Sequence, residues 1–171
     1  MARYVVGSPP RSGRLGALPA AFNPPTLAHL ALADGAQRAA GLDQVVFVLP
    51  EEFPHKSFDG ASFAQRLRML EAAVAGRPDL AVAVSSGGLF LDIARELRAL
   101  VGEGVAIEMI CGRDAAERIV NWNYRDAPPI AEQLREFGLL AAWRGGEYDP
   151  PAKLRGRVRT FALAPELAET S

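Results

Sequence analysis

The sequence is poor in the residues that build metal centres and cross-links: its 171 residues include one cysteine, Cys111, and two histidines, His29 and His55. A lone cysteine excludes an internal disulfide, and so few soft ligands exclude the usual four-ligand zinc site unless carboxylates supply most of it. No metal site of its own is expected, and any metal is expected to arrive with a substrate. Long hydrophobic runs are also missing. Nothing approaches the roughly 20 apolar residues of a membrane span, and the start of the chain lacks the apolar core of a signal peptide. That predicts a cytoplasmic protein with no membrane partner. Excess charge is absent too, with 19 basic and 20 acidic side chains and a net charge of −1. So even a balance gives no broad basic field for nucleic acid, and an apolar content of 49% excludes a disordered chain. Two common nucleotide motifs, Gly-x-x-x-x-Gly-Lys-Ser/Thr and Gly-x-Gly-x-x-Gly, do not occur.

What is present fits one domain with a sizeable core, domains of about 100–150 residues being the commonest. Residues 1–13 mix Gly, Ser, Pro and Arg after Tyr4-Val5-Val6 and read as a flexible lead-in or a weak edge strand; residues 14–171 form the single domain. Leu15 to Leu18 is a short apolar run, and Leu30 to Ala40 an alanine-rich helix that Gly41 can cap. Gln44 to Leu49 is continuously apolar and β-branched, as a parallel strand buried on both faces requires. Phe63, Leu67, Leu70 and Val74 repeat at helical spacing, with Arg66 beside the stripe; Phe90, Ile93, Leu97 and Leu100 mark another helix. Further strands are expected at Asp79 to Val84, Val105 to Ile110, Leu139 to Trp143 and Val158 to Leu163. Helices are expected at Ala115 to Val120 and Pro129 to Phe137. This alternation predicts an α/β, Rossmann-like, doubly wound parallel sheet with helices on both faces, binding its ligand at the carboxyl ends of the strands. Glu108, the one charge in an apolar strand, calls for a pairing partner.

The stretch Ala20-Ala21-Phe22-Asn23-Pro24-Pro25-Thr26-Leu27-Ala28-His29-Leu30 joins the first run to the first helix. Tandem prolines stiffen the approach. Unpaired N–H groups and the positive end of the helix dipole favour a phosphate where the helix begins.

Phe22 to His29 resembles the HxGH motif of a nucleotidyltransferase superfamily whose members join a nucleotide to a phosphorylated acceptor and release pyrophosphate. Thr26 stands for the first histidine of the motif, Ala28 for its glycine, and His29 is the second histidine. Pro54-His55-Lys56 is similar to an element of the nicotinate mononucleotide adenylyltransferases within it. Gly112-Arg113-Asp114 resembles the family's Gly-x-Asp, Trp122 a following tryptophan, and Arg144-Gly145-Gly146-Glu147-Tyr148 a late turn. The resemblance implies the nucleotidyltransferase fold and an enzyme joining ATP to nicotinate or nicotinamide mononucleotide in NAD biosynthesis. It implies Mg²⁺ carried by ATP, and self-association into a homo-oligomer is left open. Catalysis falls to His29, Thr26 and Lys56. The nucleotide falls to Ala21, Phe22, Asn23, Gly112, Asp114, Thr170 and Ser171, and the acceptor to Trp122, His55 and Arg144. Family members carry two glycines where this chain has Ala20-Ala21, and a late Ser-Ser-Thr-x-x-Arg signature whose opening would fall at Thr170-Ser171. The domain is therefore expected to lack its C-terminal helical end. These departures leave a nucleotide-binding or regulatory protein of the same fold as an alternative, as well as a nucleotidyltransferase with another phosphate acceptor.

Overall fold

The computed structural model describes residues 1–52 and 60–163. In chain order these form β1 (Arg3–Val6), β2 (Gly13–Pro19), α1 (Leu27–Ala40), β3 (Gln44–Pro50), α2 (Phe63–Val74), β4 (Leu80–Ser85) and α3 (Phe90–Val101). There follow β5 (Val105–Gly112), α4 (Arg113–Asn121), a short α5 (Ile130–Gln133), β6 (Gly138–Trp143) and β7 (Val158–Ala162). One seven-stranded sheet results, ordered β1-β4-β3-β2-β5-β6-β7. Six strands run parallel, and β1 closes one edge antiparallel to β4. Hence Tyr4-Val5-Val6 belongs to an edge strand.

Six parallel strands alternating with helices give the doubly wound sheet expected of the sequence. β3 and β4 are buried throughout or nearly so, which is why they read as unbroken apolar runs instead of alternating ones. Two apolar layers flank the sheet: Ala33, Ala36, Leu70 and Val74 of α1 and α2 on one face, Ile93, Leu97, Ala116 and Val120 of α3 and α4 on the other. Strand order reverses between β2 and β5, so the carboxyl ends of these two strands flank the crevice in which such sheets bind ligands.

The structure corrects several sequence boundaries. α1 begins at Leu27, three residues before the predicted Leu30, because Thr26 rather than a residue nearer His29 supplies the N-cap. β5 runs on through Cys111 and Gly112, paired to Ala141 and Ala142 of β6. The helix predicted over Pro129 to Phe137 is α-helical only over Ile130–Gln133 and continues as turns, since β6 starts at Gly138. Arg66 lies inside the buried face of α2 with Leu70 and Val74, at the i, i+4, i+8 positions, and not beside it.

Glu108 finds its partners across strands. Its Oε1 accepts from Arg14 Nη2 at 3.0 Å and from Arg159 Nη2 at 2.9 Å, joining β2, β5 and β7. Glu108 is paired in register with Gly138 of β6, and a Cβ there would fall 1.9 Å from its Oε2. The missing side chain at 138 is thus the space the carboxylate occupies.

Candidate active site

The corner between β2 and α1 is shaped by one histidine. Thr26 is extended at the N-cap, and the Nδ1 of His29, two residues into the helix, accepts the Thr26 backbone N–H at 2.9 Å. The Thr26 hydroxyl lies 3.2 Å from the same nitrogen. An Nδ1 that accepts an N–H has no proton of its own, so the neutral ring carries its hydrogen on Nε2. Burial pushes the His29 pKa down from its ordinary value, which favours this neutral form. The outcome is a neutral Nε2–H donor fixed in the first turn of a helix, beside the unpaired N–H groups there. A cavity of about 250 Å³ opens against this turn, lined by Pro25, Leu27, Leu30, Phe47 and Leu70 as well as Thr26 and His29.

Buried contacts brace the loop leading to that turn. Phe22 adopts a positive φ of 49° and is 1% exposed, its ring meeting the edge of His29 at 4.8 Å between centroids and Phe47 at 5.6 Å. Aromatic edge contacts of this kind contribute about 0.5–1.5 kcal/mol each. Arg66 reaches from α2 to donate from Nη1 to the Ala21 carbonyl at 3.0 Å. Asn23 Oδ1 accepts the Ala61 N–H at 3.1 Å. Gly60 beside it has φ of 133°, and a Cβ there would lie 2.8 Å from Asn23 Nδ2. Of the residues assigned to the nucleotide, then, Phe22 is packed inside, and the Ala21 carbonyl and Asn23 side-chain oxygen hold the loop in place. The ordering contacts from α2 were not legible in the sequence, because a buried arginine looks the same as a solvated one beside an apolar stripe.

The opposite wall of the crevice comes from β5 and α4. Gly112 is the exposed N-cap of α4, and a Cβ on it would meet nothing within 4 Å. Asp114 follows in the first turn, exposed, with no side-chain cap bond at this helix start. Among the described residues its carboxylate makes no hydrogen bond to the backbone. Arg113 turns away: its Nε donates to Glu117 at 2.9 Å and its Nη1 to the Gly146 carbonyl at 2.9 Å, tying the start of α4 to the turn after β6. Arg144 sits exposed in that turn. Cys111, at the end of β5, is buried, and its thiol is pushed up to about 12 by desolvation, so it is no nucleophile at neutral pH.

Trp122 lies elsewhere. It is the C-cap of α4, about 13 Å of helix beyond the crevice at 1.5 Å per residue, and 60% exposed. It lines an open cleft of about 730 Å³ between the start of α3 and the α4–α5 connection, together with Leu89, Asp92, Tyr124 and Arg125. Four of the residues predicted for the site, His55, Lys56, Thr170 and Ser171, lie outside the described residues. Among the described residues, no three His, Cys, Asp or Glu side chains cluster so as to hold a metal ion, and no helix is long and apolar enough to cross a membrane.

Residues 17–141 match the model of the cytidylyltransferase-like family. A protein of Bordetella pertussis, a probable nicotinate-nucleotide adenylyltransferase, is 38% identical over 145 residues, covering 82% of this chain and 70% of its own length. Its namesake in Trichlorobacter lovleyi is 35% identical over 128 residues, covering 71% of this chain and 60% of its own. In three dimensions the chain is similar to the Plasmodium falciparum nicotinic acid mononucleotide adenylyltransferase complexed with NaAD. There the TM-score is 0.66 at 14% identity, over 88% of this chain and 74% of the other.

Proposed function

This chain belongs to the cytidylyltransferase-like family, and from that premise we propose that it transfers the adenylyl group of ATP to nicotinate mononucleotide, a step of NAD biosynthesis. An oxygen of the acceptor phosphate attacks the α-phosphorus, the bond from that phosphorus to the bridging oxygen breaks, and pyrophosphate leaves. An ionised phosphate needs no general base, so positioning and charge stabilisation carry the rate. The observation that supports this reading is the His29 ring, whose Nδ1 is held by the Thr26 N–H so that the neutral ring carries its proton on Nε2 in the first turn of α1. Such a donor stabilises charge that builds on the phosphate oxygens without competing for a proton.

In this reading the triphosphate lies over the start of α1, and Asp114, across the strand-order switch, accepts from a ribose hydroxyl. The pyridine ring of the acceptor reaches the cleft at Trp122. Lys56, His55, Thr170 and Ser171 keep the roles given by the resemblance, and Mg²⁺ enters with ATP. The relatives are named for the nicotinate substrate, which favours the acid over the amide. The experiment is pyrophosphate release from Mg·ATP with nicotinate mononucleotide, nicotinamide mononucleotide and phosphopantetheine in parallel. Turnover is expected with nicotinate mononucleotide first; turnover with neither pyridine nucleotide refutes the proposal.

A further inference from the structure

Arg113 opens α4, and the helix itself gives no reason for an arginine there. A cation in the first turn opposes the helix dipole, whose positive end lies at the N-terminus. Its Nε bonds Glu117 one turn on, but base before acid at i, i+4 is the weaker order for a helical pair, and both side chains are 40% exposed. The other end of the guanidinium accounts for the residue: Nη1 donates to the Gly146 carbonyl at 2.9 Å, 33 positions along the chain. Glu117 then serves to aim the fork, since a planar guanidinium held at Nε has a set direction at Nη1.

The segment so held is short and lies on the rim of the crevice. β5 and β6 end side by side, with Gly112 paired to Ala142, so the start of α4 and the turn after β6 leave the sheet together. At one side of that turn the Trp143 carbonyl accepts the Leu163 N–H at 3.0 Å; at the other Tyr148 is buried in the apolar layer of α3 and α4. Between them Arg144, Gly145 and Glu147 are exposed, Gly145 in the left-handed region at φ of 71°. Arg113 takes hold at Gly146, where the missing side chain makes room for the guanidinium. A Cβ there would fall 3.0 Å from Arg113 Nη1 and, chain neighbours aside, meet no other group within 4 Å.

We propose that Arg113 is a positioning residue for the transfer, a strut that fixes the turn bearing Arg144 relative to Asp114. This role rests on the adenylyl transfer proposed above, with Asp114 serving the nucleotide and Arg144 the acceptor, as the resemblance implies. Each substrate has a larger anchor elsewhere in that reading, the triphosphate at the start of α1 and the pyridine ring at Trp122. The strut therefore adds little to the affinity of either, and acts on the alignment of one with the other. In-line attack needs the acceptor oxygen and the α-phosphorus held close and in line, so loosening one wall costs rate before it costs binding. Loss of the strut lowers kcat about tenfold and leaves both KM values within about twofold.

Kinetics with Mg·ATP and nicotinate mononucleotide test this in Arg113→Met, Gly146→Ala and the double variant, beside melting temperatures. Arg113→Met removes the donors and keeps the aliphatic stem, whereas Gly146→Ala keeps the charge and only crowds Nη1. Arg113→Met is expected to show the kcat loss just given, Gly146→Ala a loss of about threefold, and the double variant no more than Arg113→Met alone. Amide hydrogen exchange over residues 144–148 is expected to quicken in Arg113→Met, a readout independent of activity. Losses that multiply in the double variant, or exchange that does not change, overturn the strut. A raised KM at unchanged kcat makes Arg113 a binding cation, and a lower melting temperature at unchanged kcat makes it structural; either overturns the positioning role and leaves the activity standing. Absence of turnover in the unaltered chain overturns the adenylyl transfer and the positioning role together.

Discussion

The two nitrogens of His29 have separable tasks, and a pair of substitutions pulls them apart. In His29→Ala, the Thr26 N–H loses its acceptor at 2.9 Å, worth about 1 kcal/mol, and the edge contact with Phe22 goes, worth about 0.5–1.5 kcal/mol. The sum is about 2 kcal/mol, which for a chain of this size lowers the melting temperature by about 4–8 °C. Turnover falls much further, by about 10²–10³-fold, as when a donor to developing negative charge is removed. His29→Asn provides the discriminating comparison. Its Oδ1 can stand where Nδ1 stood and accept the Thr26 N–H, recovering about 1 kcal/mol, but nothing reaches as far as Nε2. Calorimetry beside pyrophosphate release should therefore show Asn more stable than Ala and equally inactive. An Asn variant that regains activity with stability, or an Ala variant that melts early yet turns over normally, would refute the division of labour.

Further expectations concern other parts of the molecule. His29, with its folded pKa below the ordinary 6.5, binds fewer protons in the folded than in the unfolded chain as pH falls through that value. Its contribution to stability is therefore complete above about pH 6.5 and declines on acidification; the melting temperature between pH 7.5 and 5.5 should fall more steeply in the wild type than in His29→Asn, and equal slopes would count against the buried neutral ring. Gly138→Ala puts a methyl where Glu108 Oε2 lies 1.9 Å from the ideal Cβ, so the carboxylate must leave Arg14 and Arg159. Urea denaturation should register a loss of about 2–4 kcal/mol, and a loss under 1 kcal/mol would show that the pair can move aside cheaply. Asp114→Ala should raise the KM for a nucleotide substrate several-fold without shifting the melting temperature, since this exposed carboxylate caps no helix; a lower melting temperature with unchanged KM would make it structural.

Much of the architecture was written in local pattern. The run Val45 to Leu49 and the helical stripes beyond it are apolar because they face a core on both sides of the sheet, and that requirement is visible one residue at a time. Thr26 and His29 were likewise legible, because the motif that carries them is contiguous. Contacts made at a distance were not. Nothing near Arg66 in the chain announces the Ala21 carbonyl, 45 positions away, and nothing near Glu108 announces Arg159, 51 positions on. Leu89 was passed over for the opposite reason: an apolar residue ahead of an apolar stripe reads as part of the core until its exposure is seen. The cleft it shares with Trp122 belongs to two loops that only the crossing order of the strands brings together.

The pairing of Glu108 with Arg14 and Arg159 across Gly138 also bears on how this sheet can change over generations. Positions 14, 108, 138 and 159 are spread over four strands, yet none of them is free to drift alone. A lineage that lost the carboxylate would be left with two arginines packed beside one another, and one that gained a methyl at 138 would first have to give up the carboxylate. Descendants of this chain are therefore expected to keep the quartet intact or to replace all of it, filling position 138 only where a neutral residue has taken position 108.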